Sequence, residues 1–225
     1  MKDEDDLMKS YAAFLFDMDG TLISSTAVTE RIYTRWAEGA GVDPAVLLPT
    51  IHGVRTIDVI RRLGRPDLDA EAVAHLISSA EKTELDGVKA IPGVHEFLAA
   101  LPPDRWALVT SADRELVRVR LAAAGIAPPK VMVTAEDVTD GKPDPQGYKL
   151  AAQRLGVDAA DCLVFEDAPA GIEAGERAGA DVLVITATHT APHGTAHTAI
   201  ADYLGVSSSR GADGSMALVF NAAAE

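Results

Sequence analysis

The sequence predicts an α/β fold, in which a three-layer parallel-sheet core carries an inserted all-helical cap domain. Three observations predict it. After Pro92, short apolar runs alternate with helical segments, which is typical of strand–helix–strand crossovers. The runs are apolar throughout, as expected for strands covered on both faces. Between residues 25 and 89 the apolar spacing is helical and no convincing strand interrupts it.

The first element is a buried strand at 12–16, followed by a loop that reaches about residue 24. Apolar residues at helical spacing then predict four helices, at 26–38, 43–48, 56–63 and 69–85. Gly87 and Pro92 mark the end of this helical stretch. We therefore predict a helical cap at 25–89 and a Rossmann-like catalytic core at 11–24 and 90–225.

The second half of the chain alternates between the two element types. Helices are predicted at 94–101, 114–124, 145–155 and 170–178, and strands at 106–110, 131–134, 162–165 and 182–186. Residues 207–215 are expected to form a hairpin turn before a last strand at 217–220.

Two carboxylates follow the first strand directly. Asp17 and Asp19 are separated by one residue, so strand alternation can direct both toward one small volume. They would repel each other unless a cation lies between them or one holds a proton. This pattern suits a divalent cation with oxygen ligands, Mg²⁺ above all, and an attacking carboxylate beside a proton-transfer carboxylate. The alternative is a solvated Asp-x-Asp-Gly turn.

Polar residues also follow the later strands. Thr110 and Ser111 end the strand at 106–110, and Glu166 and Asp167 end the strand at 162–165. Lys142 lies between them in Gly141-Lys142-Pro143. In a parallel sheet all of these reach one rim, where a lysine, a hydroxyl and four carboxylates would suit phosphoryl transfer. Singly, each has a plainer interpretation: a strand terminus, a solvated loop lysine, or an acidic helix start.

The composition excludes some partners. With 20 Lys and Arg against 34 Asp and Glu, the net charge of -14 argues against a nucleic acid or an anionic membrane as partner. No apolar run reaches the length of a membrane span, and the acidic start of the chain is unlike a signal peptide. The single cysteine, Cys162, allows no disulfide framework, which fits a reducing compartment. We expect a cytoplasmic protein with no implied protein partner.

Three histidines are spaced four apart near the end of the chain. His189, His193 and His197 would form one metal-binding face on a helix, but Pro192 and Gly194 lie between them. We therefore expect loop histidines rather than a metal site.

The chain resembles the haloacid dehalogenase superfamily in four motifs, which occur in the family's order. They are Asp17-x-Asp19-Gly20-Thr21, Thr110 after an apolar strand, Gly141-Lys142-Pro143-x-Pro145, and Phe165-Glu166-Asp167-Ala168-x-Ala170-Gly171. The segment His52-Gly53-Val54-Arg55-Thr56 makes the chain most similar to members with a helical cap that hydrolyse small sugar and polyol phosphates, including glycerol-phosphate and 2-deoxyglucose-6-phosphate phosphatases.

The resemblance implies a phosphatase that acts through an aspartyl-phosphate. Asp17 would be the nucleophile and Asp19 the proton donor and acceptor. Mg²⁺ would be held by an Asp17 oxygen, the Asp19 carbonyl group and Asp167, with Glu166 binding directly or through water. Thr110, the Ser111 amide and Lys142 would hold the phosphoryl group.

The sequence leaves two alternatives, one for the role of His52 and Arg55 and one for the reaction. His52 and Arg55 are candidates for contact with the far end of the substrate, but they could equally be a turn histidine and a surface arginine. A phosphosugar mutase similar to beta-phosphoglucomutase would carry the same four motifs. A dehalogenase would not need Asp19. A binding protein without activity should have lost at least one of Asp17, Asp19, Lys142 and Asp167, and none of them is lost.

Overall fold

The computed structural model describes residues 9–189 and 195–220. Within them the strands are β1 (Ser10–Tyr11), β2 (Ala13–Phe16), β3 (Ile23–Ser24), β4 (Lys89–Ala90), β5 (Trp106–Val109), β6 (Val131–Val133), β7 (Cys162–Glu166), β8 (Asp181–Ile185), β9 (Thr198–Ile200), β10 (Val206–Arg210) and β11 (Met216–Phe220). The helices are α1 (Thr26–Ala40), α2 (Pro44–Leu47), α3 (Thr56–Arg62), α4 (Ala70–Thr83), α5 (Val94–Ala99), α6 (Arg114–Ala123), α7 (Gln146–Leu155) and α8 (Pro169–Ala178).

The central sheet has six strands in the order β6-β5-β2-β7-β8-β9, and every neighbouring pair is parallel. The predicted parallel sheet is therefore confirmed. Strand β2 lies in the interior, between β5 and β7. Because parallel strands end at the same edge, the residues that follow these three strands are brought together.

Each face of the sheet has its own apolar cluster, as strand alternation requires. Phe14 and Phe16 point to one face, where Phe97 of α5 packs on them with ring centroids 6.4 and 6.2 Å away. Leu15 points to the other face, into a cluster that includes Tyr148 of α7 and Ala174 of α8. Helices thus cover both faces, which confirms the three-layer arrangement.

The helical segment joins the sheet through two short antiparallel strands. Strand β3 pairs with β4, Ile23 opposite Ala90 and Ser24 opposite Lys89, so the chain enters and leaves the segment side by side. Lys89, predicted as the last cap residue, is therefore in a strand. Helices α1 to α4 lie between these strands. Their apolar residues continue the cluster on the Phe14 face. The division into a core at 11–24 and 90–225 and a cap at 25–89 stays a prediction.

The structure corrects the prediction for the end of the chain. Residues 207–210, expected in a hairpin turn, belong to strand β10, and the turn is confined to Gly211–Ser215, closed by a 2.9 Å hydrogen bond from the Gly211 amide to the Ser215 carbonyl group. β10 pairs with β11, which also pairs with β1, in a separate antiparallel sheet. The serine-rich composition misled the prediction because pairing along β11 outweighs a weak local strand preference.

Among the described residues, none of the helices has both the length and the apolar character needed to cross a membrane.

Candidate active site

Three carboxylates meet where β2 and β7 end. Asp17 follows β2, and its amide donates a 3.0 Å hydrogen bond to the Phe165 carbonyl group of β7. Glu166 is the last residue of β7 and Asp167 follows it. All three side chains are buried, and one oxygen from each lies within 4.8 Å of the others. The parallel register of β2 and β7 therefore assembles an acidic cluster out of residues that are far apart in the chain.

Lys142 lies inside this cluster. Its Nζ donates to Asp17 Oδ1 at 2.5 Å, to Glu166 Oε1 at 2.6 Å and to the Val109 carbonyl group at 3.1 Å. Burial alone would lower the pKa of Lys142, but the two carboxylates outweigh it and raise the pKa. The lysine is therefore a permanent buried cation, which partly neutralises the acidic cluster.

Glu166 is fixed by donors from the protein itself. Oε1 also accepts a 2.9 Å hydrogen bond from the Tyr148 hydroxyl, and Oε2 accepts from the amides of Asp167 and Ala168 at 2.8 and 3.1 Å. A Cβ at Gly171 would lie 1.6 Å from Glu166 Oε1, so only glycine leaves room for this carboxylate. These contacts make Glu166 the anchor of Lys142.

The remaining charge in the cluster is suited to a divalent cation. Burial raises the pKa of Asp17 and Asp167, with Glu166 adding repulsion to both, and Lys142 only partly opposes this. Asp167 Oδ1 is buried without a hydrogen-bond partner among the described residues. A Cβ at Gly20 would lie 1.9 Å from Asp167 Oδ2, so glycine keeps the space beside this carboxylate open. Oxygen ligands in a buried site with excess negative charge fit a hard divalent cation.

Asp19 lies at the mouth of the cluster, with 28% of its side chain exposed. Its Oδ1 accepts hydrogen bonds from Ser25 Oγ at 2.5 Å and from Arg120 Nη1 at 2.7 Å. Asp17 and Asp19 both line one cleft. Two neighbouring carboxylates thus differ in environment, since Asp17 is buried against a lysine and Asp19 faces the cleft.

The predicted phosphate-binding residues also lie at this edge of the sheet. Thr110 is buried, and its Oγ1 accepts a 3.1 Å hydrogen bond from the Ala112 amide. Ser111 Oγ donates to the carbonyl group of Gly53 at 2.8 Å, so its side chain holds the turn of the helical segment against the sheet. Thr110 and Ser111 both line the cleft with Asp17. Their roles in binding phosphate stay a prediction.

The cleft, about 360 Å³, lies between the sheet edge and the helical segment. His52 and Arg55 line it. His52 Nε2 lies 3.1 Å from Glu30 Oε1, while Arg55 donates to Asp58 Oδ2 at 2.7 Å and to the Val138 carbonyl group at 3.3 Å. Through its bond to the Val138 carbonyl group, Arg55 joins the helical segment to the sheet-containing part of the chain. A role of either residue in binding substrate stays a prediction.

Arg120, Glu81 and Tyr148 are site residues that sequence reasoning missed. Arg120 and Glu81 lie on the apolar faces of amphipathic helices, since Arg120 follows Val117 by three residues in α6 and Glu81 follows Ile77 by four in α4. Tyr148 is a buried residue of α7. A charged residue in an apolar stripe indicates a buried partner, because an isolated buried charge is very unfavourable. That signal was present in the sequence, although it does not identify the partner.

The histidines near the end of the chain make separate contacts. His189 Nε2 lies 2.9 Å from the Asp167 carbonyl oxygen, and His197 Nε2 lies 2.8 Å from Glu176 Oε1. His193 lies outside the described residues. Within the described ranges, the one group of side chains arranged to hold a metal ion is Asp17, Glu166 and Asp167.

Comparisons with known proteins agree with this geometry. Residues 11–179 match the family model described as haloacid dehalogenase-like hydrolase. Hexitol phosphatase A of Escherichia coli is 40% identical over 186 residues, covering 80% of this chain and 85% of the relative. The 2-deoxyglucose-6-phosphate phosphatase 1 of Saccharomyces cerevisiae is 36% identical over 196 residues, covering 78% and 80%. The crystal structure of a hydrolase from Pseudomonas syringae superposes with a TM-score of 0.76 at 24% identity, covering 86% of this chain and 96% of that one.

The buried lysine can be tested by its effect on stability. Lys142→Met should lower the free energy of unfolding by about 3–5 kcal/mol in the absence of divalent cation, because it leaves the Asp17 and Glu166 carboxylates without their shared partner. Urea denaturation near neutral pH measures this. Lys149→Met, at an exposed position of α7, is the matched control. A loss no greater than that of the control would contradict the structural role of Lys142.

Proposed function

Because this chain belongs to the haloacid dehalogenase-like hydrolase family, we propose that it hydrolyses small sugar or polyol phosphates through an aspartyl-phosphate on Asp17, with Mg²⁺ bound beside it. The observation that carries the proposal is the position of Asp17, which lies at a strand end, in contact with Lys142 and close to Asp167, at the base of a cleft. The two relatives, a hexitol phosphatase and a 2-deoxyglucose-6-phosphate phosphatase, support the substrate class.

The first half of the reaction transfers the phosphoryl group to the enzyme. An Asp17 oxygen attacks phosphorus while the bond from phosphorus to the substrate oxygen breaks. Asp19 gives its proton to that leaving oxygen. In the second half, water attacks phosphorus, the bond from the Asp17 oxygen to phosphorus breaks, inorganic phosphate leaves, and Asp19 takes the proton of the attacking water. The partial exposure of Asp19 suits this exchange with groups in the cleft. Lys142, Thr110 and the Ser111 amide hold the phosphoryl oxygens.

Asp17, Asp167 and the Asp19 carbonyl group would hold Mg²⁺. Bound there, the ion would stabilise negative charge on the phosphoryl oxygens and keep Asp17 ionised. Glu166 would act through water, because both of its oxygens already accept hydrogen bonds from Lys142, Tyr148 and backbone amides. The raised pKa of Asp17 supports the need for a further cation, since a protonated carboxyl group is a poor nucleophile.

The charge balance of the cleft favours a substrate with one phosphate and an uncharged remainder. Among the described lining residues are five carboxylates, Asp17, Asp19, Glu81, Asp113 and Glu136, and three Lys or Arg side chains, Arg55, Lys82 and Arg120. Each of the three has a carboxylate within 3.1 Å. Lining hydroxyl groups, including those of Thr29 and Ser78, could bind the hydroxyl groups of a sugar or polyol. In this proposal, His52 and Arg55 would contact its far end.

The experiment that tests the proposal is phosphate release from a panel of sugar and polyol phosphates, assayed with Mg²⁺ and compared with isomer formation. Phosphate release without isomerisation supports a phosphatase. Interconversion of sugar phosphate isomers without release would instead assign the protein as a phosphosugar mutase, and neither activity would contradict both.

Replacement of the nucleophile should abolish turnover. Asp17→Asn keeps the size of the side chain but cannot form the aspartyl-phosphate, and we expect a loss on the order of a thousandfold or more in kcat. Steady-state kinetics on the best substrate measures this, and circular dichroism checks that the variant is folded. Residual activity above about a tenth of wild type would assign Asp17 a lesser role.

Removal of divalent cation should stop the reaction. We expect no phosphate release in excess chelator, recovery with Mg²⁺, and inhibition by Ca²⁺, whose longer bonds and looser geometry fit the site poorly. Mg²⁺ should also raise Tm, because it binds the folded state. In Asp167→Asn, Mg²⁺ should neither restore phosphate release nor raise Tm. In Asp161→Asn, at an exposed position before β7, Mg²⁺ should do both. Full activity in chelator would contradict a role for the metal.

A second phosphate group on the substrate should lower kcat/KM. A hexitol bisphosphate should have kcat/KM at least about tenfold below the hexitol monophosphate, which corresponds to about 1.4 kcal/mol of repulsion in the cleft. The difference in kcat/KM between the two substrates should become smaller as salt is added, since screening weakens the repulsion. Phosphate-release kinetics at two ionic strengths measures both. Equal kcat/KM values would show that the cleft does not select against the second charge.

A further inference from the structure

Arg120 is a buried cation that the proposed reaction does not use. Its side chain, in α6, is 3% exposed. Nη1 donates to Asp19 Oδ1 at 2.7 Å, while Nη2 donates to Glu81 Oε1 at 3.0 Å and to Thr29 Oγ1 at 3.0 Å. The guanidinium group therefore holds the Asp19 carboxylate and two side chains of the helical segment at once.

The three partners come from different parts of the chain. Thr29 lies in α1 and Glu81 in α4, both between β3 and β4, whereas α6 follows strand β5 of the central sheet. Glu81 is itself 5% exposed. The fork of an arginine can satisfy several acceptors in fixed directions, which a lysine ammonium cannot do in the same way. The position of the guanidinium thus depends on how the helical segment lies on the sheet.

The contacts also distinguish the two oxygens of Asp19. Oδ1 accepts from both Arg120 Nη1 and Ser25 Oγ, the latter at 2.5 Å. These two hydrogen bonds occupy both acceptor positions of Oδ1, whereas no hydrogen bond to Oδ2 occurs among the described residues. In the proposed reaction, the transferred proton is therefore carried by Oδ2.

We propose that Arg120 is a positioning residue, which fixes Asp19 Oδ1 so that Oδ2 faces the leaving oxygen, and that Glu81 and Thr29 make this orientation depend on the packing of the helical segment against α6. The inference rests on the proposed function. In the step concerned, the bond from Asp17 to phosphorus forms, the bond to the substrate oxygen breaks, and the proton passes from Asp19 Oδ2 to that oxygen.

A positioning role and a purely structural role predict different kinetics. A residue that only holds the fold together should affect all substrates alike. Loss of an oriented proton donor should instead affect alkyl phosphates, whose leaving alkoxides need the proton, far more than aryl phosphates, whose leaving phenolates need little protonation. The parameter kcat/KM reports the steps up to formation of the aspartyl-phosphate, so it isolates this difference.

The test compares kcat/KM for a hexitol phosphate and for 4-nitrophenyl phosphate. Arg120→Met should lower kcat/KM by about a hundredfold or more for the hexitol phosphate and by less than about tenfold for the aryl phosphate. Arg120→Lys keeps the charge without the fork and should give a smaller shift of the same ratio. Arg118→Met, at an exposed position of the same helix, is the control and should leave the ratio unchanged.

The outcomes separate this inference from the proposed function. If Arg120→Met does not fold, the ratio in Arg120→Lys decides. Equal losses on both substrates, or no loss on either, in a folded Arg120 variant would overturn the positioning role. A wild-type protein that released phosphate from none of the sugar and polyol phosphates in the panel would overturn the proposed function itself.

Discussion

The site depends on one buried contact, in which Lys142 bridges Asp17 and Glu166. Parallel strands end at one edge, so a chain that places a carboxylate after two adjacent strands forces like charges together. Moving those charges out of water is unfavourable unless they are paired. The lysine supplies that pairing from the loop before α7, and Gly20 and Gly171 leave the space that the carboxylates occupy. The acidic charge that remains is what the proposed cation would neutralise.

The helical segment contacts the sheet edge at several points around the cleft. Ser111 holds the turn at Gly53, Arg55 reaches the Val138 carbonyl group, and Arg120 joins Asp19 to Glu81. The paired strands β3 and β4 carry the chain into and out of the segment. These contacts hold the helical segment over Asp17 and Asp19. A cleft covered in this way would exclude water and strengthen electrostatic interactions with a phosphate.

The sequence was sufficient to predict the parallel sheet and the meeting of Asp17, Lys142 and Asp167, because strand order and motif position determine which residues reach the shared edge. It was not sufficient for contacts set by helix packing. Arg120 reaches Asp19 across 101 positions of sequence, and no local pattern identifies such a partner. The prediction of a turn at residues 207–210 was wrong for a similar reason, since the pairing of β10 with β11 is decided by the tertiary structure.

The proposed reaction depends on a covalent bond between phosphorus and Asp17, and this bond can be trapped. Borohydride added during turnover with Mg²⁺ reduces an acyl phosphate to an alcohol, so the attacked aspartate becomes homoserine, which peptide mass spectrometry can locate. We expect this conversion at Asp17, and only when a phosphorylated substrate is present. Phosphate release with Asp17 unmodified, or conversion of a different carboxylate, would contradict it.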